Sequence, residues 1–436
     1  MASSTSFSFF SSILFLLFSI SIAATSFRPK SLVLPVTKHP SLQYITEIHQ
    51  RTPLVPVKLT VDLGGQFMWV DCDRDYVSSS YKPARCRSAQ CSLASKSSSC
   101  GQCFSPPRPG CNNDTCGLFP SNTIIRLSTS GEVASDVVSV SSTNGFNPTR
   151  AVSIPNFLFV CGSTFLLEGL APGVTGMAGF GRNGISLPSQ FAAAFSFNRK
   201  FAVCLSGSTR SPGVIFSGNG PYHFLPNIDL TNSFTYTPLF INPVSTAGVS
   251  SAGEKSTEYF IGVTSIVVNS KPVPLNTTLL KIDSNGNGGT KISTVNPFTV
   301  LESSIYKALV KAFTTEVSKV PRVAAVAPFE VCYNSKSFPS TRLGAGVPTI
   351  DLVLQNKKVI WSIFGANSMV QVNDDVLCLG FVDGGVDVRT AIVIGAHQIE
   401  DKLLEFDLAT SRLGFTPTLL GRMTTCANFN FTSNAS

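Results

Sequence analysis

Short runs of alternating or β-branched residues recur along the chain, and each run ends in a cluster of Gly, Asn, Pro or Ser. Residues 55–61, 136–141 and 349–354 are three examples. Runs of this kind, bounded by turn residues, are typical of β-strands. Helical spacing of apolar positions is clearest in residues 303–320, and residues 187–196 form a shorter candidate. The pattern predicts a mainly β protein with a few short helices.

Two features indicate that the chain is built from two halves. Residues 218–226 open with Gly-Asn-Gly-Pro and have the composition of a turn between halves. An apolar run that closes on glycine in residues 176–181 is echoed by residues 391–395. At about 100–200 residues per domain, a chain of 436 residues suggests two or three domains.

The first 26 residues carry no charged side chain. Residues 7–22 are mostly Phe, Leu, Ile and Ser, and the small residues Ala23 and Ala24 follow. This order predicts a secretory signal peptide, residues 1–24, and therefore an extracellular protein. An uncleaved membrane anchor is the alternative, but the apolar run is short for a span of ~20 residues.

The cysteines support export. They number twelve, and seven fall between positions 72 and 116. Cys100 and Cys103 have the spacing of a zinc-ligand pair, but the four histidines lie elsewhere and the sequence holds no second such pair. With a leader present, this favours disulfides over a metal site, and no cofactor is indicated. The cysteines are Cys72, Cys86, Cys91, Cys100, Cys103, Cys111, Cys116, Cys161, Cys204, Cys332, Cys378 and Cys426.

Asn113, Asn276 and Asn430 begin glycosylation sequons, and a fourth at Asn434 lies too near the end of the chain to carry weight.

The formal net charge is +8, yet Lys and Arg are scattered rather than clustered. This distribution argues against nucleic-acid binding. It fits an anionic polysaccharide, an acidic protein partner or a merely solvated surface.

One motif carries chemistry. Residues 61–65, Val-Asp-Leu-Gly-Gly, are followed in residues 67–70 by Phe-Met-Trp-Val. This pair of segments resembles the first active-site loop of the pepsin-like aspartic proteases, in which Asp-Thr-Gly-Ser follows a strand. Two such loops bring together two carboxyl groups that share a proton, so that one acts as base and the other as acid.

The second loop of this kind is altered. Ser293 falls where the second Asp of the family belongs, and Val295 replaces the glycine of the tight turn. In the first loop Leu63 and Gly65 replace hydroxyl residues. The flap tyrosine of the family is also missing, because residues 128–132 run straight into a predicted strand.

The resemblance implies a two-lobed pepsin-like fold, with lobes at residues 28–220 and 221–436. It also implies that the protein is not an enzyme. Asp62 and Ser293 are then remnants, and Asp62 is expected to form hydrogen bonds within its own turn. His397 follows the glycine at a strand end and is expected to be packed rather than to act as a ligand.

Segments at both ends of the chain narrow the resemblance. Residues 26–30, 34–38, 364–370, 378–385 and 425–432 are similar to the plant extracellular dermal glycoprotein group. That group includes the xyloglucanase inhibitors and is related to cereal xylanase inhibitors and legume basic 7S globulins. The resemblance implies a secreted defence protein, expected to be a monomer, that inhibits a microbial glycoside hydrolase. The resemblance implies that the partner is a glycoside hydrolase of family 12. The cereal relatives, in contrast, mainly inhibit xylanases of family 11.

By the same resemblance, Cys332 pairs with Cys378, and we expect Cys204 to pair with Cys426. The cysteines of residues 72–116 are expected to staple an excursion on the first lobe.

A retaining glycosidase holds two carboxyl groups ~5–5.5 Å apart in an open cleft, and a guanidinium can bind a carboxylate through two parallel hydrogen bonds. In the cereal inhibitors two loops enter the xylanase cleft. The matching loops here carry Arg342 with Leu343, and Arg422 with Met423. Arg322 is a competing candidate.

Three other functions remain open. One is a receptor-like protein that binds a peptide or a polysaccharide, as suggested for the 7S globulin relatives. Seed storage is less well supported, because the composition is not unusually rich in Asn, Gln or Arg. A residual protease is opposed by Ser293 and by the missing flap tyrosine.

Overall fold

The computed structural model of the protein describes residues 27–95 and 98–432. The predicted leader, residues 1–24, and the sequon at Asn434 lie outside the described residues. Strands dominate the described part of the chain, as the pattern of apolar positions predicts.

The strands up to residue 240 are Ser31–Lys38 (β1), Tyr44–Gln50 (β2), Val55–Asp62 (β3), Trp69–Asp71 (β4), Lys82–Pro83 (β5), Ser99–Gly101 (β6), Thr115–Leu118 (β7), Ser121–Asn122 (β8), Leu127–Ser128 (β9), Gly131–Thr143 (β10), Pro148–Gly162 (β11), Gly176–Gly179 (β12), Lys200–Cys204 (β13), Gly213–Gly218 (β14), His223–Phe224 (β15), Ile228–Asp229 (β16) and Thr235–Phe240 (β17). The strands that follow are Tyr259–Ile261 (β18), Val263–Val268 (β19), Lys271–Pro272 (β20), Thr290–Ile292 (β21), Thr299–Leu301 (β22), Arg322–Val323 (β23), Cys332–Asn334 (β24), Ser340–Thr341 (β25), Gly344–Ala345 (β26), Ile350–Leu354 (β27), Ile360–Ile363 (β28), Met369–Asn373 (β29), Val376–Leu379 (β30), Phe381–Asp383 (β31), Ile392–Ile394 (β32), Leu403–Asp407 (β33) and Arg412–Phe415 (β34).

The helices are short. The α-helices of the described residues are Ala89–Ala94 (α1), Leu187–Phe195 (α2), Ser303–Glu316 (α3), Gly365–Ser368 (α4) and Ala396–Ile399 (α5). The 3-10 helices are Thr164–Leu167, Thr277–Leu280, Ser335–Ser337, Leu419–Arg422 and Cys426–Asn428.

The helix α3 shows how the sequence sets its own boundaries. At its start the Glu302 carboxylate accepts two backbone N–H groups that have no partner inside the helix. Ile305, Leu309 and Phe313 fall on one face and are buried. At Val317 the backbone leaves the helical region, with φ −108° and ψ 27°, so the helix ends before the predicted residue 320. Both predicted helices are therefore confirmed, with small differences at their ends.

The two halves repeat one arrangement of strands. In the first half β12 pairs with β3 in parallel and with β4 in antiparallel orientation. In the second half β32 pairs in the same way with β21 and β22. The predicted echo of residues 176–181 and 391–395 falls on β12 and β32. The repeat places Asp62 at the end of β3 and Ser293 directly after β21, so the two stand at equivalent positions of a two-lobed fold.

Glycine is required where β12 and β32 end, because each strand passes close to another segment. A Cβ atom on Gly179 would lie 2.3 Å from the Phe67 carbonyl oxygen, and one on Gly395 would lie 2.2 Å from the Phe298 carbonyl carbon. Both distances are too short for any side chain. Gly179 and Gly395, one in each echoed run, are therefore required by the close approach of neighbouring backbone.

One sheet contains strands from both halves. In it β13 pairs with β33 over five residues. Phe201 of β13 stacks on Phe406 of β33 with ring centroids 4.8 Å apart, and Tyr259 packs on the same ring at 4.7 Å. The Tyr259 hydroxyl donates to the Phe180 carbonyl (2.7 Å). Backbone pairing and buried aromatic rings thus join the halves.

All twelve cysteines are paired. The expected pairings of Cys204 with Cys426 and of Cys332 with Cys378 are both present. Three bridges join cysteines within residues 72–116, and a fourth joins Cys72 to Cys161 of β11. These four bridges are Cys86–Cys100, Cys91–Cys116, Cys103–Cys111 and Cys72–Cys161.

Charged groups are buried just before β33. Glu400 accepts hydrogen bonds from Lys38 (2.7 Å) and Tyr44 (2.5 Å), and its other oxygen lies 3.1 Å from His397 Nδ1. Burial raises the pKa of Asp401 to about 6. Burial also lowers the pKa of Lys402 to about 8. The Lys402 Nζ donates to a backbone carbonyl (3.0 Å).

We predict that Lys402→Met stabilises the protein. Below pH 8 the ammonium is charged in both states, and the lowered pKa in the folded state corresponds to roughly 3 kcal/mol of destabilisation. Met fills a similar volume without a charge. Thermal unfolding at pH 6 should show a higher Tm for the variant. Lys402 should add a rise in the unfolding free energy between pH 8 and about 10.5, so the stability advantage of Lys402→Met should shrink over that pH range.

Lys336→Met, which changes an exposed lysine, is the matched control and should leave the Tm within about a degree. A lower Tm for Lys402→Met would contradict the assignment of an unfavourably buried charge.

Candidate functional site

Asp62 is 5% exposed and is held from two sides. One carboxylate oxygen accepts the backbone N–H of Gly64 (3.0 Å), and the other accepts the Thr123 hydroxyl (2.8 Å). Burial raises the pKa of Asp62; the hydrogen bond from Thr123 opposes this shift, and the charge of Glu258 adds to it. The expected bond within the turn is thus present, together with a second bond from outside it.

Ser293 is also buried, and its hydroxyl is used locally. The hydroxyl donates to the Asn296 side-chain oxygen (2.9 Å). It accepts the backbone N–H groups of Val295 (3.3 Å) and Asn296 (3.2 Å). These contacts close a turn at the end of β21. A serine hydroxyl does not ionise near neutral pH, so it supplies no second carboxylate.

The neighbouring Thr294 still ties the two loops together. Its hydroxyl donates to the Val61 carbonyl (2.7 Å) and accepts the N–H of Leu63 (3.0 Å). Leu63, at the equivalent place in the first loop, has no hydroxyl with which to return this pair of bonds. The hydrogen bonds between the two loops are therefore made by the second loop's Thr294 and have no counterpart from the first loop's Leu63.

The hairpin formed by β8 and β9 lies against the site. Thr123, which reaches Asp62, stands in its turn. The Trp69 indole N–H donates to the Ser121 carbonyl at the base of the hairpin (3.0 Å). The position expected for the missing flap tyrosine is residues 128–132, whereas the hairpin residue that contacts Asp62, Thr123, lies before that segment.

An open cleft of about 790 Å³ runs past Asp62 and Ser293. Its wall includes an ion pair between Lys291 and Glu258 (2.7 Å). The cleft keeps room for a chain segment. Its two equivalent positions, however, hold one carboxyl group and one neutral hydroxyl instead of a pair that shares a proton.

The first of the two predicted contact loops is the turn between β25 and β26. Arg342 is exposed and Leu343 is partly buried. The Thr341 hydroxyl donates to the Gly344 carbonyl (2.8 Å) and accepts the N–H of Leu343 (3.1 Å). The Leu343 carbonyl accepts the Ala366 N–H (2.7 Å). Arg342 therefore extends from a turn whose backbone is fixed.

The second contact loop begins with the 3-10 helix Leu419–Arg422. Met423 follows in the left-handed region, with φ 58°, and is 71% exposed. Leu419 is buried and its N–H donates to the Asp401 carbonyl (2.8 Å). The bridge from Cys426 to β13 holds the other end of the loop. Arg422 is exposed on this anchored loop.

The structure brings these two loops together. A Cβ atom placed on Gly421 would lie 3.8 Å from the Leu343 Cδ2 atom. Arg342 and Arg422 are thus both exposed on adjoining loops. Arg322 is also exposed, but it lies on β23 opposite Tyr333 of β24. A role in binding a partner stays a prediction for all three arginines.

The remaining predicted residues are placed as follows. His397 is packed, with Nδ1 near Glu400 and Nε2 3.0 Å from a backbone carbonyl. Asn113 and Asn276 are exposed and Asn430 is partly buried, and their glycosylation stays a prediction.

Among residues 27–95 and 98–432, no helix is long and apolar enough to cross a bilayer. Within those residues no group of three or more His, Cys, Asp or Glu side chains is arranged to hold a metal ion.

The chain is similar to known proteins over most of its length. Residues 44–219 match the family model described as xylanase inhibitor N-terminal, and residues 258–417 match the one described as xylanase inhibitor C-terminal. The chain is 67% identical to probable aspartic proteinase GIP2 of Nicotiana benthamiana, over 97% of each chain. It is 44% identical to gamma conglutin 1 of Prunus dulcis, over 93% of this chain and 90% of the relative.

Solved structures agree. The crystal structure of edgp is 62% identical, covers 94% of this chain and 100% of its own, and superposes with a TM-score of 0.92. The crystal structure of basic 7S globulin from soybean is 36% identical, covers 93% and 100% of the two chains, and superposes with a TM-score of 0.79.

We predict no proteolysis at any pH, either for the unchanged chain or for Ser293→Asp. Restoring the carboxylate alone is insufficient, because Leu63, Gly65 and Val295 still lack the groups that orient an Asp pair. The measurement is cleavage of a denatured protein substrate from pH 2 to 8. Cleavage that a transition-state analogue of aspartic proteases blocks would contradict this.

Proposed function

The chain belongs to the family defined by the xylanase inhibitor N-terminal and C-terminal models, and from that premise we propose that it is a secreted plant inhibitor of a microbial glycoside hydrolase. The proposed partner is a family 12 xyloglucan-specific endoglucanase. The proposed place of action is the cell wall and the extracellular space, where the protein acts as a glycosylated monomer in defence.

The observation that carries the proposal is the pair of adjoining, anchored loops that expose Arg342 and Arg422. Each loop is held by backbone hydrogen bonds, so little backbone freedom remains to be lost on binding. Arg residues on rigid loops are frequent anchors of protein interfaces. Leu343 and Met423 would add apolar contacts beside the charges.

The chemistry of the target explains why arginine suits this role. The two catalytic carboxyl groups of a retaining glycosidase lie ~5–5.5 Å apart in an open cleft. A guanidinium is always charged and binds a carboxylate through two parallel hydrogen bonds. Two guanidinium groups on adjoining loops could therefore neutralise the pair and occupy the sugar site. Inhibition would be competitive with substrate.

The proposal includes the absence of protease activity. A relative carries the name probable aspartic proteinase, but that name describes the relative. In this chain the support comes from Ser293, which stands at the position equivalent to Asp62 and is bonded within its own turn.

A second candidate function is binding of a peptide or a polysaccharide in the manner suggested for the basic 7S globulins. The cleft of about 790 Å³ favours it, because the space between the lobes is kept although the carboxyl pair is not. The two functions use different surfaces, so mutations separate them.

We predict that Arg342→Ala and Arg422→Ala each raise the inhibition constant against a sensitive family 12 enzyme. A buried arginine anchor is worth about 2 kcal/mol or more on truncation, which is roughly thirtyfold in affinity. Arg→Lys at either position should also weaken inhibition, because the charge stays but the planar fork is lost. A mixing assay with family 11 and family 12 enzymes identifies the sensitive class first.

Arg210→Ala, which truncates an exposed arginine in the first half, is the matched control and should inhibit as well as the unchanged protein. Added oligosaccharide should protect the enzyme if the loops enter its cleft. If both single variants and the double variant keep full inhibition, these loops are not the inhibitory site, and ligand binding becomes the leading function.

A further inference from the structure

A third segment contacts the loop that carries Arg422. It consists of the hairpin of β15 and β16 and the turn that follows, residues 221–233. The Leu225 carbonyl accepts the Thr424 hydroxyl (2.7 Å), and the Leu225 N–H donates to the Asn428 carbonyl (2.9 Å). Two hydrogen bonds therefore join the turn of the hairpin to the chain just beyond Arg422.

The far end of this segment reaches Arg422 itself. The Arg422 Nη1 atom donates to the Ser233 hydroxyl oxygen, 2.5 Å away. The pKa of Asp229 is lowered although burial opposes this shift. The lowering comes mainly from hydrogen bonds donated by Thr231 and from the charge of His223, and the charge of Arg422 adds to it, so Asp229 lies near Arg422. The hairpin thus offers Arg422 one neutral acceptor and one nearby negative charge.

Ser233 is itself well fixed. Its N–H donates to the carbonyl of Leu230 (3.0 Å), and the N–H of Leu230 donates to the carbonyl of Tyr222 (2.9 Å). Leu230 and Tyr222 are both buried, and the Tyr222 hydroxyl donates to Glu405 of β33 (2.9 Å). The acceptor that holds Arg422 therefore stands on a turn anchored to the core.

This contact leaves the guanidinium able to bind a carboxylate. The group has five N–H donors in a fixed plane, and Ser233 uses one of them, on Nη1. The Nε and Nη2 edge remains for two parallel hydrogen bonds to a carboxylate. A long arginine side chain loses rotamer entropy when a partner immobilises it, and a prior hydrogen bond reduces that loss.

We propose that residues 221–233 support the inhibitory surface from behind, and that Ser233 is a positioning residue that holds the Arg422 guanidinium ready for a carboxylate of the partner enzyme. The inference rests on the proposed function, and it adds a segment that the sequence did not indicate. Ser233 acts through Arg422 and need not touch the partner.

The test is a double-mutant cycle on the full-length protein against one sensitive family 12 enzyme. Inhibition constants are measured for the unchanged protein, Ser233→Ala, Arg422→Ala and the double variant. We expect Ser233→Ala to weaken inhibition about three- to tenfold, as for the loss of one solvent-exposed hydrogen bond. In the Arg422→Ala background the same change should have no effect.

Two further variants separate positioning from folding. Ser233→Thr keeps the hydroxyl and should retain most of the inhibition. Ser92→Ala truncates an exposed serine on α1 and should inhibit normally. Thermal unfolding of each variant shows whether the fold is intact.

The outcomes are distinguishable. If Arg422→Ala inhibits as well as the unchanged protein, the proposed function of that loop fails, and this inference fails with it. If Arg422→Ala weakens inhibition but Ser233→Ala does not, only the positioning role is overturned. An equal loss for Ser233→Ala with and without Arg422 would show a structural role and would also overturn it.

Discussion

The pairing of β13 with β33 is the interaction on which the arrangement of this protein depends. It joins strands from opposite halves, and the stacked rings of Phe201 and Phe406 exclude water from the junction. β13 ends at Cys204, whose bridge to Cys426 fixes the chain just after Arg422. The segment before β33 accepts the Leu419 N–H at the start of the same loop. The junction that unites the halves thus also fixes the loop to which we assign inhibition.

In the cleft between the lobes, residues required by packing are present, but the paired carboxyl groups of an active site are not. Gly179 and Gly395 remain because backbone segments pass too close for a side chain, whatever the site does. The Thr294 hydroxyl forms hydrogen bonds with the backbone of Val61 and of Leu63, on either side of Asp62. The groups that share a proton in an active pair are not kept. Ser293 stands in place of one carboxyl group, and Leu63 and Val295 are also altered, while the Thr123 hydroxyl binds Asp62. Close packing accounts for the two glycines, whereas the contacts of Ser293 are satisfied within its own turn without a second carboxylate.

Features set by local chemistry were predictable from the sequence. The helix α3, the echoed glycine runs and the pairing of Cys332 with Cys378 follow from spacing or from resemblance. Apart from the two disulfides that the resemblance suggested, contacts between distant residues were not. Thr123 lies 61 residues from Asp62, and Ser233 lies 189 residues from Arg422. Single Thr and Ser residues in turns give no periodic or motif signal, so only the folded chain shows what they contact.

The central claim is that guanidinium groups of this protein bind the catalytic carboxylates of a glycoside hydrolase. It is tested most directly from the partner's side, by measuring the Kd for a sensitive family 12 enzyme and for its variants with each catalytic Glu replaced by Gln. The account predicts that each amide weakens binding at least about tenfold, because the charge and one acceptor of the bidentate pair are lost. Equal affinity for the enzyme and both amide variants would contradict it.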